Sequence, residues 1–291
     1  MSVERTDMHE TVSSPALQSP DPPDTVFAFV AGLYVALLVA PAVVFAVAVA
    51  YPLGAAGLYV GLLAALTAVT AAGTVGVGRM NGIAERLGAS PLARGLGVVA
   101  VLGAVGYGAA AVGIDPSSGR VALWAGVVFS GLAIVVGLAI VAMSRTRYAK
   151  AAVDGDAVRA AWKAGWPQPL RTRLQVGAMT LYLGGMALLF GGEFVGLGAY
   201  EWLGALAFVP GGAFMGWGQP RGYRLAPVGI ERTNYVHRRL YEWDSFESFS
   251  VTDDAVILRR SGLRPSFRCW RAEIDDEDEL IDALDDHLPR A

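Results

Sequence analysis

Up to Trp217 the chain consists of long apolar stretches separated by short polar segments. A helix needs about 20 apolar residues to cross the hydrocarbon core of a bilayer, so each stretch predicts a membrane-spanning helix. The pattern therefore predicts an α-helical membrane bundle of six transmembrane helices, followed by a different kind of domain. The predicted spans are Val26–Ala50, Leu53–Val77, Gly95–Ile114, Val121–Met143, Val176–Leu197 and Trp202–Trp217.

The sixth predicted span gives the weakest signal of the set. Trp202–Trp217 is short and is interrupted by Pro210 and by the pair Gly211–Gly212. A break of this kind is tolerated at membrane depth where neighbouring helices bury the freed backbone groups. We therefore expect this segment to cross the membrane, although by length alone it could also be a buried helix.

Charged residues are nearly absent from the first four spans and their loops. Between Val26 and Met143 there are four arginines and two acidic residues. Over the whole chain 17% of residues are charged, whereas a soluble domain carries about 25%. Because one core could not bury so much apolar surface, the composition excludes a water-soluble protein. It predicts the lipid bilayer as the partner of these segments.

The basic residues between the spans fall in alternate loops. Residues 78–94 hold three and residues 144–175 hold seven, whereas the three other connections hold only Arg120. Lysine and arginine are enriched in cytoplasmic loops, so this bias places both basic loops in the cytoplasm. With six spans, the protein is then a multi-pass protein of the cell membrane whose N- and C-termini are both cytoplasmic.

Three regions follow from these patterns. Residues 1–24 are polar, acidic and rich in proline, which predicts a disordered cytoplasmic tail. Residues 25–217 form the transmembrane domain, and residues 218–291 a cytoplasmic β domain. Within the basic loop 144–175, Ala157–Gly165 is a candidate for a short helix resting on lipid headgroups, or for an irregular loop with tryptophan anchors.

The residues after Gln219 predict a small antiparallel β domain that ends in a helix. Short runs rich in aromatic and β-branched residues alternate with turn signals such as Ser261-Gly262. An acidic run then precedes an apolar stripe of Leu280, Leu284 and Leu288, which is typical of an amphipathic helix. The predicted strands are Gly222–Ala226, Gly229–Asn234, Val236–Trp243, Glu247–Val251, Ala255–Arg260 and Ser266–Arg271.

This order of elements resembles the PH-like domain that bacteria and archaea attach to membrane spans. The resemblance covers about residues 222–288, and it implies a binding or scaffolding module held against the inner membrane face. Six predicted strands stand where a full PH barrel has seven, and the first hairpin offers no basic cluster that matches a phosphoinositide site. The resemblance rests on Tyr223-Arg224-Leu225, Gly229-Ile230-Glu231, Leu240-Tyr241-Glu242-Trp243 leading into Phe246, Val256-Ile257-Leu258 and Ile274-Asp275-Asp276.

Three pairs of glycines four residues apart lie in or near the spans. Such pairs let helix backbones approach closely, and they predict packing within the bundle, with a homo-oligomer as the alternative. The pairs are Gly57 with Gly61, Gly192 with Gly196, and Gly212 with Gly216.

Candidate chemistry is sparse, and we predict no catalytic, cofactor-binding or metal-ligating residue. Glu193 is the one acidic residue within a predicted span, and it lies near the outer end, where water can reach it. His9, His237 and His287 lack metal-ligand spacing, and Cys269 is the only cysteine. The hydroxyl residues in the spans are expected to bond to their own helices; they are Thr67, Thr70, Thr74, Ser130 and Thr180.

The function that these patterns favour is a non-enzymatic membrane anchor or scaffold whose C-terminal domain binds a partner protein. The alternative is a transporter or channel for a small uncharged solute, suggested by the three hairpins and the broken sixth helix. A third class, a membrane-embedded enzyme acting on lipids, would need Arg79 to converge with residues of the loop 144–175. In residues 218–291, 15 acids outnumber 11 arginines, which disfavours both nucleic acid and strong attachment to anionic lipid.

Overall fold

The chain folds into two compact units, residues 1–152 and residues 153–291. The computed structural model describes residues 23–51, 53–113, 120–153, 157–234 and 237–291. Residues 1–22 of the predicted disordered tail, Ile114 at the end of the third predicted span and Val236 at the start of a predicted strand lie outside the described residues.

The first unit is a helical bundle in which four long helices take the places of the first four predicted spans. Asp24 caps the first of them, accepting a hydrogen bond from the backbone N–H of Phe27 at 2.7 Å. The short third helix was not predicted; it lies in the first basic loop and packs against α5. The helices are α1 (Thr25–Ala50), α2 (Ala55–Gly78), α3 (Ile83–Ala89), α4 (Gly95–Gly113) and α5 (Arg120–Ala152).

Helices α1 and α2 meet backbone to backbone at Gly32 and Gly73. A Cβ atom added to Gly32 would lie 2.6 Å from the carbonyl oxygen of Thr70, and one added to Gly73 would lie 2.8 Å from the Cα of Gly32. The predicted pair Gly57 and Gly61 has no contact of this tightness. Close glycine packing therefore exists in this unit, but not at the glycines that the four-residue spacing indicated.

The second unit contains two further helices, α6 (Gln168–Gly191) and α7 (Glu201–Met215). In the described part of the chain, α1, α2, α4, α5 and α6 are long and apolar enough to cross a membrane. Helices are therefore confirmed at the first five predicted spans, although α6 begins eight residues before the predicted Val176 and ends at Gly191 instead of Leu197. Helix α7 has 15 residues and is about 22 Å long, shorter than the hydrocarbon core of about 30 Å.

Helices α6 and α7 form a tightly packed antiparallel hairpin. A Cβ atom on Gly185 of α6 would collide with the backbone nitrogen of Phe208, and one on Gly211 of α7 would lie 2.5 Å from that of Tyr182. The rings of Tyr182 and Phe208 stack with centroids 4.7 Å apart. Small residues thus bring the two backbones into contact, as expected of membrane helices.

The rest of the second unit is a β domain of two antiparallel sheets, ordered β1-β2-β3-β4 and β5-β6-β7. All six predicted strands are present. The final helix α8 (Glu277–Asp285) is also confirmed, with Leu280, Leu284 and Leu288 buried in the domain core. The strands are β1 (Ala160–Ala164), β2 (Arg221–Ala226), β3 (Gly229–Thr233), β4 (Arg238–Glu242), β5 (Phe246–Val251), β6 (Ala255–Arg260) and β7 (Phe267–Trp270).

Strand β1 overturns the predicted short helix Ala157–Gly165. Its residues alternate between buried and exposed, and it pairs antiparallel with β2, Trp162 facing Tyr223 and Ala164 facing Arg221. The rings of Trp162 and Tyr223 stack at 5.3 Å. The tryptophan that suggested a headgroup anchor is instead buried in the core, because the period-two alternation outweighs the helix propensity of alanine.

Replacing Gly185 by alanine tests the packing of the hairpin. Because the new methyl group would meet the backbone of Phe208, we expect G185A to destabilise the protein by about 1–3 kcal/mol. G184A is the matched control, since a Cβ atom there has no neighbour within 4 Å. Thermal unfolding of the full chain in detergent measures both, and equal stabilities would show that the hairpin is not packed in this way.

Candidate functional site

The base of the α6–α7 hairpin is joined to the β domain on both sides. Strand β1 ends at Ala164, shortly before α6 begins at Gln168, and strand β2 begins at Arg221, shortly after α7 ends at Met215. The backbone N–H of Trp166 donates to the carbonyl of Gly218 at 3.1 Å, which continues the β1–β2 ladder toward the helices. The hairpin is thus an insertion between two paired strands rather than a separate element.

Glu273, in the one-turn segment that follows β7, stabilises this junction. Its carboxylate accepts hydrogen bonds from the backbone N–H of Gly165 at 2.6 Å and from the guanidinium of Arg171 at 2.9 Å. The N–H of Trp270 also donates to the carbonyl of Gly165 at 2.9 Å. Arg171 lies in the first turn of α6, so these bonds tie the start of the helix to the strand β7 region.

A pocket of about 280 Å³ opens beside this junction. Its walls come from β1, β2, β3, β4, β6 and β7 and from the segments that lead into α6 and out of α7. The lining is made of aromatic rings and guanidinium groups, and it includes no carboxylate. The side chains that give it this character are Trp166, Trp217, Tyr223, Tyr241, Phe267, Arg221, Arg232, Arg260 and Arg268.

Two arginines of the pocket, Arg232 and Arg260, are held on aromatic faces instead of in ion pairs. The guanidinium of Arg232 lies 4.9 Å from the ring centroid of Phe267, and that of Arg260 lies 4.8 Å from the ring of Tyr241. Among the residues that the structure describes, neither of these arginines forms a salt bridge with a carboxylate. Stacking of this kind orients the charge without neutralising it.

The crowding of positive charge shifts the protonation equilibria of the pocket. Burial and the charge of Arg232 lower the pKa of Arg221. Burial also lowers the pKa of Arg260, and the charges of Arg239 and Arg264 contribute. The Nε atom of Arg260 is buried without a hydrogen-bond partner among the described residues. Both groups remain cationic, so the pocket stores unfavourable repulsion that a bound anion would relieve.

Neither the Tyr223 hydroxyl, which lines the pocket, nor the buried Cys269 thiol is activated for catalysis. Burial raises the pKa of the Tyr223 hydroxyl, and it raises the pKa of the Cys269 thiol to about 11. A nucleophile or general base needs its charged form near neutral pH, and burial disfavours that form in both groups. The site can therefore bind, orient and neutralise charge, but it offers no activated nucleophile.

The residues that the sequence singled out lie away from this pocket. Glu193 is exposed in the turn after α6, consistent with a position at the membrane surface. Thr74 and Thr180 bond to carbonyls of their own helices, as predicted, whereas the buried hydroxyl of Ser130 has no partner among the described residues. No group of three or more potential metal ligands occurs in the described ranges.

A second polar cluster lies in the helical bundle of the first unit. Arg147 of α5 contacts Asp24 at 2.5 Å and Glu85 of α3 at 3.6 Å, and its guanidinium lies over the ring of Phe27. These contacts fix the N-terminal end of α1 to α3 and α5. One guanidinium thus serves two carboxylates, and the Oε2 atom of Glu85 is buried without a hydrogen-bond partner among the described residues. Arg79, which the lipid-enzyme hypothesis required, makes none of these contacts.

Sequence reasoning missed the pocket arginines because it weighed charge over the whole β domain. A signal was nevertheless present in the hairpins. Arg221 begins β2 and Arg232 lies near the end of β3, while Arg260 ends β6 and Arg268 lies near the start of β7. In the first hairpin Arg232 pairs with Tyr223, two residues from Arg221, so aligning the predicted strands by their turn places Arg221 and Arg232 on one face at one edge. Comparison with protein-family models, curated proteins and solved structures found no match to the chain.

Replacing Glu273 by alanine tests the junction between hairpin and β domain. We expect E273A to lower the free energy of unfolding by about 1–3 kcal/mol, because the N–H of Gly165 and the charge of Arg171 lose their acceptor. D275A removes an exposed carboxylate two residues away and should have little effect. Equal melting temperatures for both variants in detergent would show that Glu273 does not hold the junction.

Proposed function

We propose that this protein is a membrane anchor whose six-helix bundle presents a PH-like interaction domain at the inner face of the cell membrane. The observation that carries the proposal is the insertion of the α6–α7 hairpin between two paired strands of the β domain. An anchor of this design holds its binding module at a fixed height above the bilayer, because no free linker separates module from membrane.

The same insertion supports a sixth crossing by α7. Ala164 and Arg221 are paired in the β1–β2 ladder, so the chain enters α6 and leaves α7 at the same end of the hairpin. If α6 spans the membrane, α7 must bring the chain back to the side on which it started. The one-turn segment Gly198–Tyr200 runs directly into α7 at the far end of the hairpin and adds to the length of this crossing.

A PH-like fold is supported by the number and order of the strands. The domain has sheets of four and three strands followed by a C-terminal helix. Strand β1 is the seventh strand, which the six strands predicted from the sequence lacked. In this arrangement the membrane hairpin takes the place of the loop between the first two strands. The positive-inside bias of the basic loops supports a cytoplasmic position for the domain and for both chain termini.

An interaction role fits the structure better than transport. The contact of Gly32 with Gly73 closes the α1–α2 interface, and Gly185 with Gly204 closes the α6–α7 interface. Backbones packed this closely leave no room for a solute between the two helices of either pair. The β domain, in contrast, carries the concave arginine-lined surface on which a partner can bind. The fold therefore supports binding of a partner protein by the β domain, and the helical bundle serves to position that domain.

Cysteine labelling tests the orientation on which the proposal depends. In a C269A background, F194C places a thiol at the exposed tip of the hairpin and L263C places one on the exposed β6–β7 loop. A maleimide that cannot cross membranes should label F194C in intact cells and L263C only after the cells are permeabilised.

Two results would contradict the proposed orientation. Labelling of L263C in intact cells would place the β domain outside the cell. Protection of both thiols until permeabilisation would show that the hairpin does not cross the membrane. Uniform labelling of both variants in detergent provides the control that each thiol is accessible in the folded protein.

A further inference from the structure

We propose that the arginine-lined pocket at the base of the α6–α7 hairpin is a binding site for a phosphate group. If the phosphate belongs to a membrane lipid, this proposal extends the membrane-anchor function proposed above. If the phosphate is free in water, the two proposals are independent. The site itself rests on the β domain and its junction with the hairpin, irrespective of which side of the membrane they occupy.

The first argument is the arrangement of charge. Arg221, Arg232, Arg260 and Arg268 come from four different strands and line one pocket that contains no carboxylate. Structural arginines are normally paired, as Arg224 and Arg238 are with the buried Glu231 on the same sheet. A fold that leaves the guanidinium groups of Arg221, Arg232 and Arg260 unneutralised in one concavity gives up stability there, which is typical of a ligand site.

The second argument is the unsatisfied hydrogen-bonding capacity. The Nε of Arg260 is buried without a partner among the described residues, although the ring of Tyr241 fixes its guanidinium. Arg232 is fixed in the same way between the rings of Tyr241 and Phe267. Guanidinium groups held in this manner present their donors with little loss of side-chain entropy, and their planar fork matches the oxygens of phosphate.

The third argument is the size and rim of the pocket. Its volume of about 280 Å³ admits a phosphate together with part of the group that carries it. Trp166 and Trp217 lie on the side where the chain enters and leaves the helical hairpin. Tryptophan is enriched at the membrane–water interface, so a phosphate in the headgroup layer and a phosphate free in water can both reach the site.

The acidic composition of the domain does not oppose this inference. Residues 275–279 are acidic without exception and account for five of the 15 acids; they lead into α8 rather than to the pocket. The arginines, in contrast, are concentrated where the strands of both sheets end. A local positive pocket in a domain of net negative charge selects a compact anion and disfavours broad adsorption to an anionic surface.

The test uses the full-length protein in phosphatidylcholine nanodiscs titrated with inorganic phosphate at constant ionic strength, followed by calorimetry and by tryptophan emission. We expect saturable binding that R260Q weakens by at least about tenfold. R259Q is the matched control, because Arg259 is the preceding residue of β6 and its exposed side chain points away from the pocket. It should bind phosphate like the wild type.

A second variant separates binding from folding. R221Q removes a half-buried guanidinium on the face of β2 that also carries Tyr223, and it should also weaken phosphate binding. The melting temperature of R260Q without phosphate should equal or exceed that of the wild type, because the substitution removes a charge from a repulsive cluster. A lower melting temperature for R260Q together with unchanged binding by R221Q would overturn the proposal.

A parallel series in nanodiscs that contain phosphatidic acid distinguishes the source of the phosphate. If the lipid headgroup occupies the site, added inorganic phosphate will not bind there, and phosphatidic acid will raise the melting temperature of the wild type but not of R260Q. If the site takes free phosphate alone, phosphatidic acid will change neither property. Absence of saturable phosphate binding and of stabilisation by phosphatidic acid, or equal losses in R259Q and R260Q, would overturn the inference. None of these readouts depends on membrane orientation, which the cysteine labelling tests separately.

Discussion

The pairing of β1 with β2 is the constraint on which the second unit depends. These strands flank the α6–α7 hairpin, so their ladder holds both ends of the hairpin together independently of the packing between the two helices. Three further bonds at Gly165 and Trp166 extend this connection to Glu273, Trp270 and Gly218. Because backbone hydrogen bonds at a ladder end are directional, the β domain cannot swing freely on the helices. Glycine contacts along α6 and α7 then make the hairpin itself a rigid stem.

Electrostatic repulsion distinguishes the pocket from the rest of the β domain. Elsewhere, charge is balanced: Glu231 lies buried between Arg224 and Arg238, and Arg271 is paired with Glu277. At the strand ends near the hairpin, aromatic rings support guanidinium groups without compensating them. A ring face stabilises a nearby cation by about 0.5–2 kcal/mol, which offsets part of the repulsion and leaves the donors available. The stem and the pocket thus belong together, since the chain segments that join helix to strand also form one wall of the pocket.

Local pattern was sufficient for most elements but not for those defined by distant partners. The five long helices and strands β2 to β7 have runs or alternations that can be read within a few residues. Strand β1 was predicted as a helix because Ala160–Ala164 is rich in alanine and its partner β2 follows only after the whole hairpin. The tight glycines were misplaced for a similar reason, since Gly32 and Gly73 are neighbours only once α1 and α2 have packed. The pocket was not predicted because its arginines belong to different strands and come together only in the folded domain.

The pairing of β1 with β2 across the hairpin can be measured directly with a cross-strand disulfide. Lys163 lies opposite Gly222, and paired antiparallel residues have Cα atoms about 4.5–5.5 Å apart, within the range of a disulfide. In the full chain with C269A and a protease site inserted after Leu197, K163C with G222C should oxidise readily. After cleavage the two fragments should then migrate together until they are reduced. The off-register pair A161C with G222C should form the bond much more slowly. Fragments of K163C with G222C that separate without reduction, or equal rates for the two pairs, would contradict the proposed insertion of the hairpin into the β domain.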